Sequence, residues 1–193
     1  MSHIERRQRE KEEIRLRILD AAREIASEEG WQAVTIRKIA SRVEYTPPIV
    51  YEYFENKENL LQELAYAGFE ILHSQFEDEK KKESDPKKLM SKLALIHLDF
   101  AIKYKELFQL MFSLERPAPN EAMRNNMELM KETVKLISNA DDEGVREIIF
   151  GFLCMCHGAI SFMLQTGQHT KKFTPESFRS MYVRVVERYI NSL

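Results

Sequence analysis

Val34-Thr35-Ile36-Arg37-Lys38-Ile39-Ala40-Ser41-Arg42-Val43-Glu44-Tyr45-Thr46-Pro47-Pro48-Ile49-Val50-Tyr51-Glu52-Tyr53-Phe54-Glu55-Asn56-Lys57 decides the reading of this 193-residue chain. It reads as two short helices joined by a tight turn, followed by the start of a third. Thr35 is a capping residue for the first, and Ile36, Ile39, Ala40 and Val43 give that helix an apolar face at helical spacing. The turn is Val43-Glu44-Tyr45. Thr46 before Pro47 signals the second start, a hydroxyl cap followed by a proline where no amide hydrogen is needed. Asn56 caps a helix opening with Lys57. A helix of about two turns, a short turn and a second short helix make the helix-turn-helix, whose second helix enters the major groove of DNA.

The residues around this core carry a more specific likeness. Thr35-Ile36-Arg37-Lys38-Ile39-Ala40, Tyr51-Glu52-Tyr53-Phe54 and Lys57-Glu58-Asn59-Leu60 stand in the same order as the lead-in Ile18-Leu19-Asp20-Ala21-Ala22 and the helix end Glu29-Gly30-Trp31 require. Together they resemble the DNA-binding domain of TetR-family transcriptional regulators, over roughly residues 10 to 65. Two positions depart from the family pattern. Glu44 stands where glycine is usual in the turn, and Pro48 where a small residue is usual. If the turn geometry is kept, Glu44 takes a costly left-handed conformation; otherwise the turn differs locally. Pro48, early in its helix, gives up only a donor that has no partner there.

Roles follow from these placements. Thr46, Pro47 and Pro48 lie at the entry of the recognition helix, where side chains meet base edges, and the two prolines offer an apolar readout such as contact with thymine methyls. Tyr51, Tyr53 and Lys57 match family positions that grip phosphates. Thr35 and the amides at its helix start offer the same on the other side of the groove, with Arg37 and Lys38 as nearby cations. Phe54 reads as core. Tyr51 and Tyr53 divide between core packing and DNA contact. Glu52 repels phosphate, yet a carboxylate can accept from a cytosine amino group, point away from the groove or pair with an arginine.

Charge alone does not announce nucleic acid. Residues 1–57 hold eleven Lys and Arg and eleven acids, so the formal −2 of the chain lies in the remainder. Arg6-Arg7-Gln8-Arg9 reads either as a flexible arm reaching the DNA backbone or a minor groove, or as a solvated tail. Composition is ordinary for a globular chain, 44% hydrophobic and 31% charged. The N-terminus shows no apolar signal segment, and the expected location is the cytoplasm. Cys154 and Cys156, two apart in an apolar run, face different ways on a helix and read as buried thiols.

From residue 57 onward the pattern is helical, with prolines at 86, 117, 119 and 175 marking breaks. The chain therefore reads as all-α: a helix-turn-helix head over 1–56, with its basic arm, and a helical effector-binding and dimerisation domain over 57–193. Asp85-Pro86 and Thr174-Pro175 are helix starts, and residues 115–119 form a loop. Residues 148–164 are apolar almost all round, as in a helix buried on every side, and a membrane span is the competing reading. Gly151, Cys154, Gly158 and Ser161 give this helix one face of small residues that admits another helix backbone. With the last helix it supplies a four-helix interface for a twofold dimer, which a palindromic operator needs.

Tyr104 to Phe112 and His157-Gly158 resemble, more weakly, a TetR C-terminal domain type marked by a Trp, a His and a Gly on its long helix; Cys154 or a neighbour stands where the tryptophan belongs. That resemblance implies a small-molecule pocket whose occupancy shifts the spacing of two DNA heads. Candidate lining residues are Phe100, Tyr104, Phe108, Met111, Phe112, Met127, Met130, Met155 and His157, a methionine and aromatic set suited to an apolar effector or simply to a core. His157 reads as a core histidine bonded to a backbone carbonyl or as a ligand contact. No catalytic motif, cofactor loop or metal spacing emerges: the six glycines are scattered, and His73, His97 and His169 lack a histidine or cysteine ligand at i, i+4. The expectation is a non-enzymatic, dimeric, ligand-responsive DNA-binding regulator that represses. A constitutive DNA-binding protein without effector, and a small-molecule sensor whose head no longer reads sequence, are the alternatives.

Overall fold

The structure is a computed structural model that describes residues 3–113, 118–166 and 174–193. Most of the loop expected at 115–119, and His169, lie outside the described residues. Among the described residues there are nine α-helices, one 3₁₀ turn (Trp31–Ala33) and no strand. The helices are α1 (His3–Glu29), α2 (Ile36–Arg42), α3 (Pro47–Tyr51), α4 (Lys57–Lys80), α5 (Pro86–Lys103), α6 (Lys105–Met111), α7 (Glu121–Ile137), α8 (Asp142–Thr166) and α9 (Pro175–Asn191). The all-α expectation therefore holds. Two compact units divide the chain: Met1–Gly68 with Glu106–Pro117, and Phe69–Lys105 with Ala118–Leu193. The sequence division at 56 and 57 falls instead at the first residue of α4.

In the first unit, α1 presents Ile18, Ala21, Ala22, Ile25 and Ala26 at helical spacing, and all are buried. The helix ends where Gly30 takes φ 84° and ψ 162°, a region essentially reserved for glycine, while its amide still bonds Ala26 O at 2.8 Å. Ile39, Val50, Phe54, Leu60 and Leu64 complete the core of the head. Asn56 caps α4 as expected, its Oδ1 accepting from Asn59 N at 2.7 Å. Helix α6 belongs to this unit from Glu106 onward. Trp31 Nε1 donates to Glu106 O at 2.8 Å, and a side chain at Gly68 would run into Leu107 and Met111.

One part of the sequence reading is overturned here. Residues 4–13 are not a flexible arm: they are the first turns of α1, exposed throughout, and the pairs Arg6–Glu10 and Arg9–Glu13 support them at i, i+4 spacing.

In the second unit, α5 packs against α7, α8 and α9. Asp85 caps α5 by accepting from Lys87 N and Lys88 N, and Thr174 caps α9 by accepting from Ser177 N. Leu93, Phe100, Phe152, Ile160, Phe178, Tyr182 and Val186 form the core. Several polar groups are matched within it. Tyr182 Oη donates to Ala94 O at 3.1 Å, Tyr189 Oη to Ile148 O at 2.7 Å, and Thr133 Oγ1 to Leu129 O at 2.7 Å. His73 Nδ1 lies 2.9 Å from Asn126 Oδ1.

Helix α8 corrects a second expectation. It is not buried on every side of the single chain: Phe150 is 71% exposed, Phe162 is 50% exposed, and Cys154 and Gly158 are open between them. Only Cys156 of the two thiols is buried. Four-residue steps put Phe150, Cys154, Gly158 and Phe162 on one stripe, so the apolar run encodes an inner face packed in the chain and an outer face left uncovered. By length and composition alone α8 is apolar enough to cross a membrane.

Candidate nucleic-acid interface

The candidate interface of the head is built from α2, the turn and α3. Thr35 adopts extended backbone and its hydroxyl accepts from Lys38 N at 3.2 Å, which starts α2 where the sequence placed it. Ile36, Ile39 and Ala40 turn inward, leaving Thr35, Arg37 and Lys38 exposed. The turn keeps the tight geometry: Glu44 takes φ 61°, its amide bonds Ser41 O at 3.3 Å, and Tyr45 N bonds Ala40 O at 2.8 Å. Those two bonds form a Schellman motif with glutamate at the left-handed position. Arg17 closes the turn from α1. Its Nη2 donates to Val43 O at 3.3 Å and its guanidinium sits 5.6 Å from the centre of the Tyr45 ring. Nothing in the turn sequence announces Arg17; its partner is a backbone carbonyl 26 residues away.

Thr46 corrects the expected hydroxyl cap. It has the extended backbone of a cap, but its side chain makes no capping hydrogen bond. The reason is local chemistry. A capping oxygen accepts from the second or third amide of the helix. The second, at Pro48, carries no hydrogen, and the third, at Ile49, bonds Thr46 O at 3.0 Å. The Thr46 hydroxyl is thus left uncommitted on an exposed residue, beside Pro47 and the exposed Pro48. Tyr51 is 54% exposed at the end of α3, Tyr53 is half-buried, and Phe54 is core.

The cations differ in what already holds them. Lys38 Nζ pairs with Glu29 at 2.7 Å, and Arg42 forks onto Glu28 and Glu24, whose hydrogen bonds raise its pKa above the ordinary arginine value. Arg37 and Lys57 have no carboxylate partner among the described residues, nor has Glu52. Burial, with the nearby Glu52 carboxylate, raises the Tyr53 phenol above its ordinary pKa, so it stays a neutral donor.

The candidate effector residues do not all fall in one unit. Phe108, Met111 and Phe112 belong to the first, with the Phe108 and Phe112 ring centres 4.8 Å apart. Phe100, Tyr104, Met127, Met130, Met155 and His157 belong to the second. There Phe100 and Met130 are buried, Tyr104, Met155 and His157 half-buried, and Met127 is 45% exposed. Phe100 and Tyr104 tilt together with ring centres 5.2 Å apart. His97 of α5, which periodicity alone does not single out, is buried close enough to His157 of α8 to feel its charge. Burial first, and His157 second, push the His97 pKa down to about 4. No group of three or more metal-ligating side chains is gathered among the described residues.

Comparison with known proteins agrees with this geometry. Residues 18–64 match the family model described as bacterial regulatory proteins, tetR family. The chain is 24% identical over 177 residues to the fatty acid metabolism regulator protein of Bacillus subtilis (strain 168), covering 92% of this chain and 81% of that protein. The crystal structure of the transcriptional regulator FadR from Bacillus subtilis in complex with stearoyl-CoA superposes with a TM-score of 0.73 at 17% identity, over 92% of this chain and 98% of that one. A TetR protein from Acinetobacter baumannii AYE, crystallised with minocycline, superposes with a TM-score of 0.71 at 18% identity, over 91% and 93%. The helix-turn-helix head, the all-helical remainder and these likenesses converge: residues 18–64 carry the head of the tetR family of bacterial regulatory proteins, and the chain as a whole is similar to regulators of that family.

Proposed function

We propose that this regulator is a cytoplasmic, ligand-responsive repressor that binds a palindromic operator as a homodimer and acts by binding rather than by catalysis. The observation that carries the DNA reading is the entry of α3. An uncommitted Thr46 hydroxyl and two prolines stand there, with the exposed Tyr51 at the end of the same short helix, and Arg37 and Lys57 have no carboxylate partner among the described residues. In this reading Thr46, Pro47 and Pro48 meet base edges, while Thr35, Arg37, Tyr51, Tyr53 and Lys57 hold phosphates. Lys38 joins them only by leaving Glu29. The open stripe of α8 supports the dimer: two large aromatic side chains flank Cys154 and Gly158, where a second copy's helix can approach closely. In this reading the 1–56 head reads DNA and the 57–193 region dimerises and senses.

For the effector, the relatives favour a fatty acyl chain carried on a large polar headgroup. One is named for fatty acid metabolism and another was crystallised with stearoyl-CoA. Within the second unit, Phe100, Tyr104, Met130, Met155 and His157 are the methionine and aromatic residues that suit such an apolar chain. The coupling between effector and operator is expected to be roughly 1–3 kcal/mol. The test is selection of bound sequences from a random duplex pool, followed by titration of the recovered operator complex with long-chain acyl-CoA. An inverted repeat released by acyl-CoA supports the reading. No enriched sequence sinks the operator; an operator that no acyl-CoA releases sinks the effector class. Trp31 is the single tryptophan of the chain, and its bond to Glu106 makes its fluorescence an internal reporter of α6.

A further inference from the structure

We propose that the exposed first turns of α1 are a second phosphate-binding element, extending the grip on duplex DNA beyond the helix-turn-helix. This rests on the DNA reading above and names residues that the reading does not use. Residues 4–13 touch no core: the apolar stripe of α1 begins in earnest only at Ile18. Ten helical residues span about 15 Å, the width of several phosphate steps. The four cations of this segment divide into two kinds. Arg6 and Arg9 are engaged by Glu10 and Glu13 at 2.8 and 3.6 Å. Arg7 and Lys11 have no carboxylate partner among the described residues. Being four apart, they share one face of the helix.

Contacts at the base of the extension fix where that face points. Lys11 Nζ lies 5.9 Å from the centre of the Tyr53 ring. One turn further on, Arg15 stacks 5.5 Å from the centre of the Phe54 ring and pairs with Glu63. The row Arg7, Lys11, Arg15 therefore runs along the side of the head where α3 ends. A duplex seated on Thr46 to Tyr53 brings a phosphate beside Tyr53, within reach of Lys11. Arg7, one turn or about 6 Å beyond, meets the next phosphates along the strand. The paired Arg6 and Arg9 support the helix, and the unpaired Arg7 and Lys11 do the binding. Because the contact is to phosphate, it strengthens binding to any duplex and adds no base preference.

The test compares two double variants with the same change in net charge. Arg7→Gln with Lys11→Gln removes the free cations; Arg6→Gln with Arg9→Gln removes the paired ones. Affinity is measured by fluorescence anisotropy on a random-sequence duplex and on the selected operator, over a range of salt, with helicity checked by circular dichroism. The free-cation variant is expected to bind both duplexes about 5- to 10-fold more weakly, with the salt slope reduced by about two per protomer. The paired-cation variant is expected to stay within about twofold of the parent, since exposed pairs contribute little. Equal losses in the two variants, or none in the first, overturn the proposal. So does unchanged duplex affinity with lost binding to vesicles of anionic lipid, which would assign the row to a membrane surface. A parent protein that selects no operator sinks the repressor reading alone, because the random-duplex comparison stands without it. A parent that binds no duplex at all sinks both.

Discussion

Tyr45 donates its amide hydrogen to the carbonyl of Ala40 at 2.8 Å, across a turn whose central residue, Glu44, is held at φ 61°. The bond belongs to the Schellman closure that sets where α3 begins relative to α2, so the head keeps a glycine geometry with a residue that disfavours it. The left-handed conformation costs a non-glycine residue roughly 1–2 kcal/mol, part of which glycine returns as backbone entropy. Arg17 helps hold the strained turn from α1 by bonding Val43 O. Glu44→Gly is therefore expected to stabilise the protein by about 0.5–1 kcal/mol and raise its unfolding midpoint by about 1–4 °C. Differential scanning fluorimetry checks this. A midpoint that falls would show that the Glu44 side chain contributes more than its backbone costs.

How much of this was legible follows physical lines. Capping and periodicity are local, and they located α2 at Thr35, α4 at Asn56, α5 at Asp85 and α9 at Thr174. The Thr46 cap failed although the helix start was right. The signal in the sequence is the Thr-Pro pair, while the bond depends on an amide that Pro48 has removed. Arg17 on Val43, Trp31 on Glu106 and Tyr182 on Ala94 join residues 26, 75 and 88 apart, and no pattern of spacing encodes such pairs. The outer stripe of α8 was legible only in part: the small residues Cys154 and Gly158 marked a face for another helix, while the exposed Phe150 and Phe162 were read as buried. Apolar residues cover the whole helix, and composition does not separate a face packed in the chain from one awaiting a partner.

Arg37 and Lys38 are adjacent cations with different prospects. Arg37 is exposed without a carboxylate partner among the described residues, whereas Lys38 is 2.7 Å from Glu29. Arg37→Ala is expected to weaken operator binding several-fold, lower the salt slope by about one per protomer and leave stability within about 0.5 kcal/mol. Lys38→Ala is expected to change affinity by less than twofold, since its charge is already compensated and an exposed pair is worth little. Anisotropy titrations at three salt concentrations separate the two. A larger loss for Lys38→Ala would show that the Glu29 pair opens on DNA.

His97 makes the second unit sensitive to acid. Burial and the neighbouring His157 hold its pKa at about 4, below the ordinary 6.5, so the folded state binds this proton more weakly than the unfolded chain. Its contribution is fully present above pH 6.5 and is lost progressively as pH falls toward 4, to a limit of about 3 kcal/mol. Thermal midpoints of the parent are expected to drop between pH 7 and 5 by more than those of His97→Gln, which removes the titrating group. Parallel curves for the two proteins would assign the acid sensitivity to other residues.

Gly158 separates the fold of the single chain from its assembly. A Cβ built there meets nothing within 4 Å, so a larger side chain is accommodated by the isolated protomer. At Gly151, by contrast, a Cβ would stand 2.7 Å from the Tyr189 hydroxyl, which needs that space to reach Ile148 O. If the stripe from Phe150 to Phe162 meets its counterpart across a twofold axis, Gly158→Leu holds the two helices apart and the interface loses its close packing. Sedimentation velocity at micromolar concentration is expected to show a dimer for the parent and a shift toward monomer for Gly158→Leu, with helicity by circular dichroism retained. Thiol labelling gives an independent readout. Cys154 is exposed on the same stripe, while burial pushes the Cys156 thiol up to about 11 and keeps it unreactive. Labelling of Cys154 is expected to be slow in the parent dimer and fast in the variant, with Cys156 silent in both. A variant that remains dimeric with Cys154 still protected would move the interface off α8. A monomeric parent that labels rapidly would remove the basis for a palindromic operator.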